Sequence, residues 1–99
     1  MVKRKITWTK RATHQFNIAI QYIREDSEQN AEKMKEKILY KINELANNKI
    51  THRKDHYKKD NNGRYLYFEV LKHRIVYYNG EDEVFIIRIR HTKMEPKKY

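Results

Sequence analysis

The alternation of apolar and polar residues predicts one short strand followed by two helices in the first half of the chain. "KRKITWT" near the start places Ile6 and Trp8 two residues apart, the spacing of one face of a strand. Two helices are then expected, because apolar residues recur at helical intervals. Thr9 is a candidate N-cap for the first helix, and Ser27 or Asn30 for the second. The apolar faces comprise Ala12, Phe16, Ala19, Ile20 and Ile23 in the first helix and Ala31, Met34, Ile38, Ile42 and Leu45 in the second.

The second half of the chain predicts three strands after a long polar loop. "ITHRKDHYKKDNNGR" shows no helical or strand period and closes with a turn sequence at 61–63. Three apolar runs follow, "RYLYFEVL", "RIVYYN" and "EVFIIRIRH", and the short connections at 72–73 and 79–82 favour hairpins. The order strand-helix-helix-strand-strand-strand predicts an α+β fold. We expect a single domain spanning 1–99, with two helices packed on one face of a largely antiparallel four-stranded sheet.

The last strand changes character along its length. Strict alternation places Phe85, Ile87 and Ile89 on one face, which we expect to be buried. The opposite face begins apolar and ends cationic, so this end of the strand is expected to emerge at a rim of the sheet. The residues of that face are Val84, Ile86, Arg88 and Arg90.

The chain is strongly basic and contains no cysteine. Lys and Arg number 23 against 13 Asp and Glu, and the resulting net charge of +10 favours a polyanionic or acidic partner. The lack of cysteine excludes disulfides and thiolate metal sites and favours a reducing, cytoplasmic setting. The opening "MVKRKITWTK" has no apolar stretch behind its charges, so neither a signal peptide nor a membrane association is expected.

Few groupings of residues support catalysis. The five histidines lack the spacing of a zinc site, and Gly63 and Gly80 are too isolated to form a phosphate-binding loop. No metal ion or cofactor is therefore expected. Glu69 interrupts an apolar strand, and we expect it to pair with a neighbouring base rather than to act in catalysis.

One reaction suits the remaining Arg, Lys, His and Tyr side chains, namely cleavage of RNA through its own 2′-hydroxyl. That reaction needs a base, an acid and cations that stabilise the phosphorane. His91 could supply the acid or base, and Arg74 or Arg90 could clamp the phosphate. Tyr99 could stack on a base or transfer a proton.

The same residues also have a structural interpretation, which is favoured for any one position taken alone. Arg88 and Arg90 would then pair with Glu69 or Glu83 across the sheet. His91 would be a histidine at the end of a strand that donates a hydrogen bond to the backbone.

Several motifs occur in a fixed order along the whole chain. They are "ITWTKRATHQF" at the start, "ANNK" ending the second helix, "NNGRY" opening the sheet, "HRIVYY" in the third strand and "IIRIRHTKMEP" at the end. In this order they resemble the RelE/ParE superfamily of bacterial type II toxins. The resemblance implies a small basic toxin held inactive by an acidic, partly disordered cognate antitoxin. It also implies that the toxin-antitoxin complex binds operator DNA.

Two branches of this superfamily imply different activities. In the branch that cuts mRNA on the ribosome, one strand carries lysines, the next an arginine, and the C-terminal region a basic residue and a tyrosine. Arg74 matches the arginine, and Lys93 and Tyr99 match the terminal pair, but "RYLYFEV" has Tyr, Leu and Phe where lysines would stand. The ending "RIRHTKMEPKKY" is more similar to the ParE branch, which is associated with poisoning of DNA gyrase and implies no catalytic residues.

The sequence therefore predicts a ParE-like toxin that acts on DNA gyrase, with two alternatives. One is a ribosome-dependent mRNA endonuclease, in which Arg74, His91, Lys93 and Tyr99 would be catalytic. The other is a non-toxic basic module that binds nucleic acid. The surface that binds the target or nucleic acid is expected to include Lys54, Lys58, Arg64 and Arg90.

Overall fold

A computed structural model describes residues 3–47, 52–94 and 97–99, and within these ranges the chain forms two α-helices and a five-stranded sheet. Strand β1 (Lys5–Trp8) precedes helices α1 (Lys10–Asp26) and α2 (Glu28–Asn43), and a 3-10 turn at Glu44–Ala46 ends the helical half. The strands of the second half are β2 (Arg53–Lys54), β3 (Tyr65–Val70), β4 (His73–Asn79) and β5 (Glu83–His91).

The two helices are joined through a single residue. The Thr9 side chain accepts a hydrogen bond from the Ala12 N–H at 3.2 Å, which confirms it as the N-cap of α1. Ser27 accepts from the Asn30 N–H at 3.1 Å, so Ser27 and not Asn30 is the N-cap of α2. The Ser27 N–H also donates to the Ile23 carbonyl at 2.9 Å, so the same residue ends α1. This arrangement brings the apolar faces of both helices onto one side of the sheet.

The sheet has the strand order β1-β5-β4-β3-β2, with β1 parallel to β5 and the other neighbours antiparallel. The predicted α+β class is confirmed, but the sheet has five strands instead of four. The additional strand is β2, in which Arg53 pairs with Tyr67 and Lys54 with Leu66 inside the predicted loop. Two residues are too few to show an alternating pattern, so the sequence held no signal for this strand.

The β3–β4 hairpin closes through Leu71 and Lys72, because Val70 already pairs with His73. The predicted connection at 72–73 was therefore displaced by one residue. Leu71 and Lys72 have φ angles of 47° and 64°, the left-handed conformation that both central residues of a type I′ turn adopt. Such turns normally contain Asn or Gly, and their absence here explains why the position was missed.

Strand β5 contains a β-bulge at Ile87, because Ile86 and Arg88 on either side of it pair with consecutive residues of β4. A bulge shifts the alternation of side chains by one position. The prediction of strict alternation along β5 is therefore wrong. Ile86 lies in the core together with Ile89 beyond the bulge, whereas Phe85 and Ile87 are only partly buried.

The first and last strands lie side by side at one edge of the sheet. Residues 5–8 of β1 pair in parallel with residues 83–86 of β5. Beyond Trp8 no described strand flanks β5, and Gln15 of α1 accepts a hydrogen bond from the Ile89 N–H at 2.7 Å. A helix side chain thus replaces the missing strand at this buried donor.

Candidate interaction surface

Three arginines lie close together on the face of the sheet opposite the helices. Ile75 belongs to the helical core, so the adjacent Arg74 faces the other side. Arg74 lies directly opposite Arg90, and Arg88 lies two positions further back along β5. Like charges that face each other across neighbouring strands repel. This face therefore needs anionic or aromatic groups nearby, and the loop before β3 supplies both.

A buried aspartate neutralises one of these arginines. Asp55 follows β2 and is fully buried. Its Oδ1 accepts from Arg74 Nη2 at 2.8 Å and from the Tyr57 N–H at 3.2 Å, and its Oδ2 accepts from the Tyr99 hydroxyl at 2.6 Å. Burial alone would raise the pKa of Asp55, but the hydrogen bonds from Tyr99, Arg74 and Tyr57 lower it below its ordinary value. The carboxylate is therefore ionised at neutral pH.

Aromatic rings enclose the guanidinium of Arg74. Its central carbon lies 3.4 Å from the centre of the Tyr67 ring and 5.0 Å from that of Tyr57. Its Nη1 lies 3.8 Å from the Glu69 carboxylate, which confirms the prediction that Glu69 pairs with a base. Since the Arg74 side chain is only 13% exposed, these contacts hold it in one position.

Arg88 is held by the closing segment of the chain. Its guanidinium lies 3.9 Å above the Tyr99 ring, and its Nη2 donates to the Lys97 carbonyl at 2.8 Å. Burial lowers the pKa of Arg88, and the charges of Arg90 and Arg74 act in the same direction. The predicted pairing of Arg88 with Glu69 or Glu83 is wrong, because Arg88 forms no such ion pair among the described residues.

Tyr99 also ties the closing segment to the loop after β2. Its N–H donates to the Tyr57 carbonyl at 3.0 Å, and its main-chain oxygen accepts from the Lys59 N–H at 2.6 Å. Burial is the largest cause of a raised pKa of Tyr99, and the hydrogen bond to Asp55 adds to it, so the phenol stays neutral. We refer to the residues that these contacts join as the buried cluster. Its members are Asp55, Arg74, Arg88 and Tyr99.

The structure separates the predicted binding residues of the basic loop. Lys58 Nζ lies 4.8 Å from the centre of the Tyr65 ring and 5.5 Å from that of Tyr99, so this lysine borders the cluster. Arg64 donates to the Asn79 carbonyl at 3.1 Å and is 43% exposed. Lys54 is exposed on β2. Lys54 pairs with the core residue Leu66 and therefore faces the helical side of the sheet, and Arg64 lies near the β4–β5 turn. The three cations do not form one binding centre.

The other predicted site residues lie at the end of β5. Lys93 is exposed, and His91 Nδ1 accepts a hydrogen bond from the Lys93 N–H at 3.0 Å. The prediction that His91 donates to the backbone is thus reversed. A pocket of about 120 Å³ lies between this region and the buried cluster, and its wall includes Arg74, Arg90 and His91. The structure therefore links Arg74 and Tyr99 through their shared partner Asp55. His91 lines the adjacent pocket, and Lys93 does not.

Sequence reasoning missed Asp55, which organises the site. In the sequence it is one acid among the many bases of the polar loop, and no local pattern distinguishes it from Asp60. The sequence did contain one general sign of such a surface, its eight tyrosines in 99 residues. Four of these tyrosines stack on cations of this face, namely Tyr57, Tyr65, Tyr67 and Tyr99.

Two absences apply to the residues that the structure describes. In residues 3–47, 52–94 and 97–99, no group of three or more His, Asp or Glu side chains is arranged to hold a metal ion. Within the same ranges, no helix combines the length and the apolar character needed to cross a membrane.

The fold and this surface define a small, cationic α+β protein with three arginines close together on the open face of a bulged sheet. The sequence model of the ParE toxin of the type II toxin-antitoxin system parDE matches residues 6–96. The chain therefore belongs to the ParE family of type II toxins. Its fold is similar to that of a chain from the chromosomal ParDE toxin-antitoxin system of P. aeruginosa, with a TM-score of 0.72 and 16% sequence identity. That match covers 92% of this chain and 98% of the other. No curated protein matches the sequence.

Proposed function

We propose that this toxin arrests growth in the cytoplasm by acting on DNA gyrase, and that an acidic cognate antitoxin neutralises it. The toxin-antitoxin complex is further proposed to bind operator DNA. Membership of the ParE family supports the toxin role. The net charge of +10 supports an acidic partner and a polyanionic target.

The buried cluster is the observation that favours gyrase over mRNA cleavage. A metal-independent ribonuclease needs a group that gains or loses a proton and cations that are free to contact the phosphate. Tyr99 instead donates to Asp55, and its raised pKa keeps it neutral. Arg74 is bonded to the same carboxylate and is covered by Tyr67 from β3, the strand that lacks the expected lysines. Arg74 and Tyr99, two of the four residues that a nuclease would use, are therefore engaged in contacts within the protein.

Inducible expression of the lone chain tests this proposal. Growth, mRNA integrity and gyrase-linked DNA breaks are followed in the same culture. Growth arrest with intact mRNA and gyrase-linked breaks is the expected result. Arrest with mRNA cut within codons would instead identify a ribosome-dependent endonuclease, with Arg74, His91, Lys93 and Tyr99 as its candidate residues. Normal growth would contradict both toxin functions and would favour a non-toxic basic module that binds nucleic acid.

Charge removal on the basic loop tests the proposed target surface. We expect Lys54→Gln combined with Lys58→Gln to reduce inhibition of purified gyrase by about tenfold, because two cations of the surface are lost. The control combines Lys33→Gln with Lys37→Gln, which removes the same charge from the exposed side of α2. If both double variants lose inhibition equally, net charge and not this surface determines activity. A comparable loss is expected when Arg64 or Arg90 is replaced by Gln.

A further inference from the structure

The small pocket on the open face of the sheet is lined by cations from two neighbouring strands. Its volume is about 120 Å³, and its wall contains Arg74 of β4 and Arg88, Arg90 and His91 of β5. Among the described residues, Glu69 is the one acidic residue of this wall, and its side chain is 54% exposed. The pocket is therefore a concave, positively charged site next to the buried cluster.

The protein compensates these arginines only in part. Asp55 accepts a hydrogen bond from Arg74, but Arg88 contacts the Tyr99 ring and the Lys97 carbonyl and has no carboxylate partner among the described residues. Arg88 is only 5% exposed, so its charge is poorly solvated. In the described structure, Nε of Arg74 and Nε of Arg88 are buried without a hydrogen-bond partner. Buried donors without an acceptor lower stability, so oxygen atoms from a bound anion would stabilise this group of arginines.

A phosphate group suits this arrangement better than a carboxylate does. A guanidinium presents its N–H groups in a planar fork that fits two oxygens of either anion. Because the arginines extend from two strands, a bound anion meets more than one fork. A tetrahedral phosphate has oxygens for several forks, whereas a planar carboxylate has only two oxygens.

The size of the pocket indicates which kind of phosphate fits. A cavity of this volume holds only a few water molecules, so it admits a phosphate group but not a nucleoside attached to it. A phosphate inside a nucleic acid chain carries a substituent on two sides. A free or terminal phosphate keeps at least three unsubstituted oxygens and can enter with these oxygens foremost.

We propose that this pocket binds a phosphate group, either as the free anion or as the terminal phosphate of a small ester, with Arg88 and Arg90 as the principal donors. Arg74 completes the wall in the position that Asp55 fixes. Binding of this kind requires no proton transfer, so it is compatible with a neutral Tyr99 that is hydrogen-bonded to Asp55. The inference does not depend on gyrase as the target or on the antitoxin.

Two arginines of the same sheet provide a matched test. Arg90 lines the pocket, whereas Arg53 is exposed on β2, pairs with Tyr67 and does not line it. Sodium phosphate is titrated into the purified chain at constant ionic strength, and calorimetry measures the dissociation constant. We expect Arg90→Gln to weaken binding about tenfold or more, because charge-assisted hydrogen bonds are lost, and Arg53→Gln to change it less than about twofold. Circular dichroism verifies that each variant is folded.

A second variant preserves the test if Arg90→Gln fails to fold. Arg88→Lys keeps the positive charge of the pocket but removes the planar fork. We expect it to weaken phosphate binding by about fivefold or more, since an ammonium group cannot replace the paired N–H donors. Phosphate binding unchanged in both pocket variants would overturn the proposal.

Three ligands distinguish the sources of the phosphate. They are inorganic phosphate, adenosine 5′-monophosphate and a dinucleoside monophosphate, whose single phosphate is internal. Tighter binding of the first would identify the free anion as the ligand, and tighter binding of the second would identify a terminal phosphate. The strongest binding by the dinucleoside would overturn the proposal in favour of a nucleic acid backbone, and no binding by the first two would also overturn it. If phosphate binds as expected but the chain leaves gyrase unaffected, the proposed target fails and the inference stands.

Discussion

Asp55 and Asp60 belong to the same basic loop, but only Asp55 is buried. Asp55→Asn removes the charge that compensates Arg74 while keeping the shape of the side chain. Breaking a buried ion pair in this way costs about 3–5 kcal/mol, so we expect a loss of that order in the free energy of unfolding. Asp60→Asn should stay within about 0.5 kcal/mol of the wild type. Urea unfolding of both variants measures the difference, and comparable losses would show that the buried cluster is not stabilising.

His52 and His73 make the stability depend on pH. Burial is the largest cause that lowers the pKa of each, and the charge of Lys41 acts in the same direction on His52. The folded state therefore binds fewer protons than the unfolded state in the range just below 6.5. The stabilisation is complete above that value and is lost as the pH falls through the folded pKa values. The stabilisation from Asp55 is complete at these pH values, because its pKa is depressed, and it is lost only as the pH falls below about 4.

We accordingly expect the free energy of unfolding to decrease between about pH 7 and about pH 5. His73→Asn should reduce this slope, since the amide can still donate to the Leu71 carbonyl but does not titrate. His14→Asn replaces an exposed histidine of α1 and serves as the control. Urea unfolding at a series of pH values provides the measurement. A slope unchanged by His73→Asn would contradict the assignment.

At the scale of elements, Gln15 links α1 to β5 where no described strand covers the sheet edge. Gln15→Ala leaves the Ile89 N–H without its acceptor and should cost about 1–3 kcal/mol. Gln21→Ala, at an exposed position of the same helix, removes an amide that has no such partner among the described contacts. Thermal unfolding compares the two variants. Equal melting temperatures would show that water or another group replaces Gln15.

The β3–β4 turn carries a cost in stability, because Leu71 and Lys72 both adopt positive φ angles. Replacing Leu71 by Asn and Lys72 by Gly supplies the residues that a type I′ turn prefers. We expect the double variant to be more stable by about 1–2 kcal/mol, because the backbone strain is relieved. Urea unfolding measures the difference, and a variant no more stable than the wild type would show that the turn is not strained.

At the scale of the whole molecule, the net charge of +10 governs the rate of association. We expect the association rate constant with the acidic antitoxin to fall by about tenfold or more between 0.05 and 0.5 M salt, because screening shortens the range of attraction. The dissociation rate should change much less, since screening acts mainly on the approach of the two proteins. Stopped-flow fluorescence measures both rates, with Trp8, the only tryptophan of the chain, as the intrinsic probe.

The sequence predicted those parts of the fold that depend on periodic patterns. Both helices and the caps at Thr9 and Ser27 follow from local spacing and hydrogen-bonding chemistry. The bulge at Ile87 was missed because it depends on pairing with β4, and local alternation does not reveal it. Asp55 was missed for a similar reason, since its partners come from distant parts of the chain. The buried cluster is thus a product of tertiary structure.

The pairing of β1 with β5 has a consequence for the timing of folding. Residues 5–8 join residues 83–86, so nearly the whole chain must be made before the edge of the sheet can close. At about 5–20 residues per second of synthesis, β1 is without its partner for several seconds after it has been made. The bulged strand that carries Arg88 and Arg90 is also the last element to emerge. The open face of the sheet that carries these arginines therefore forms only after translation has passed β5 and not gradually during synthesis.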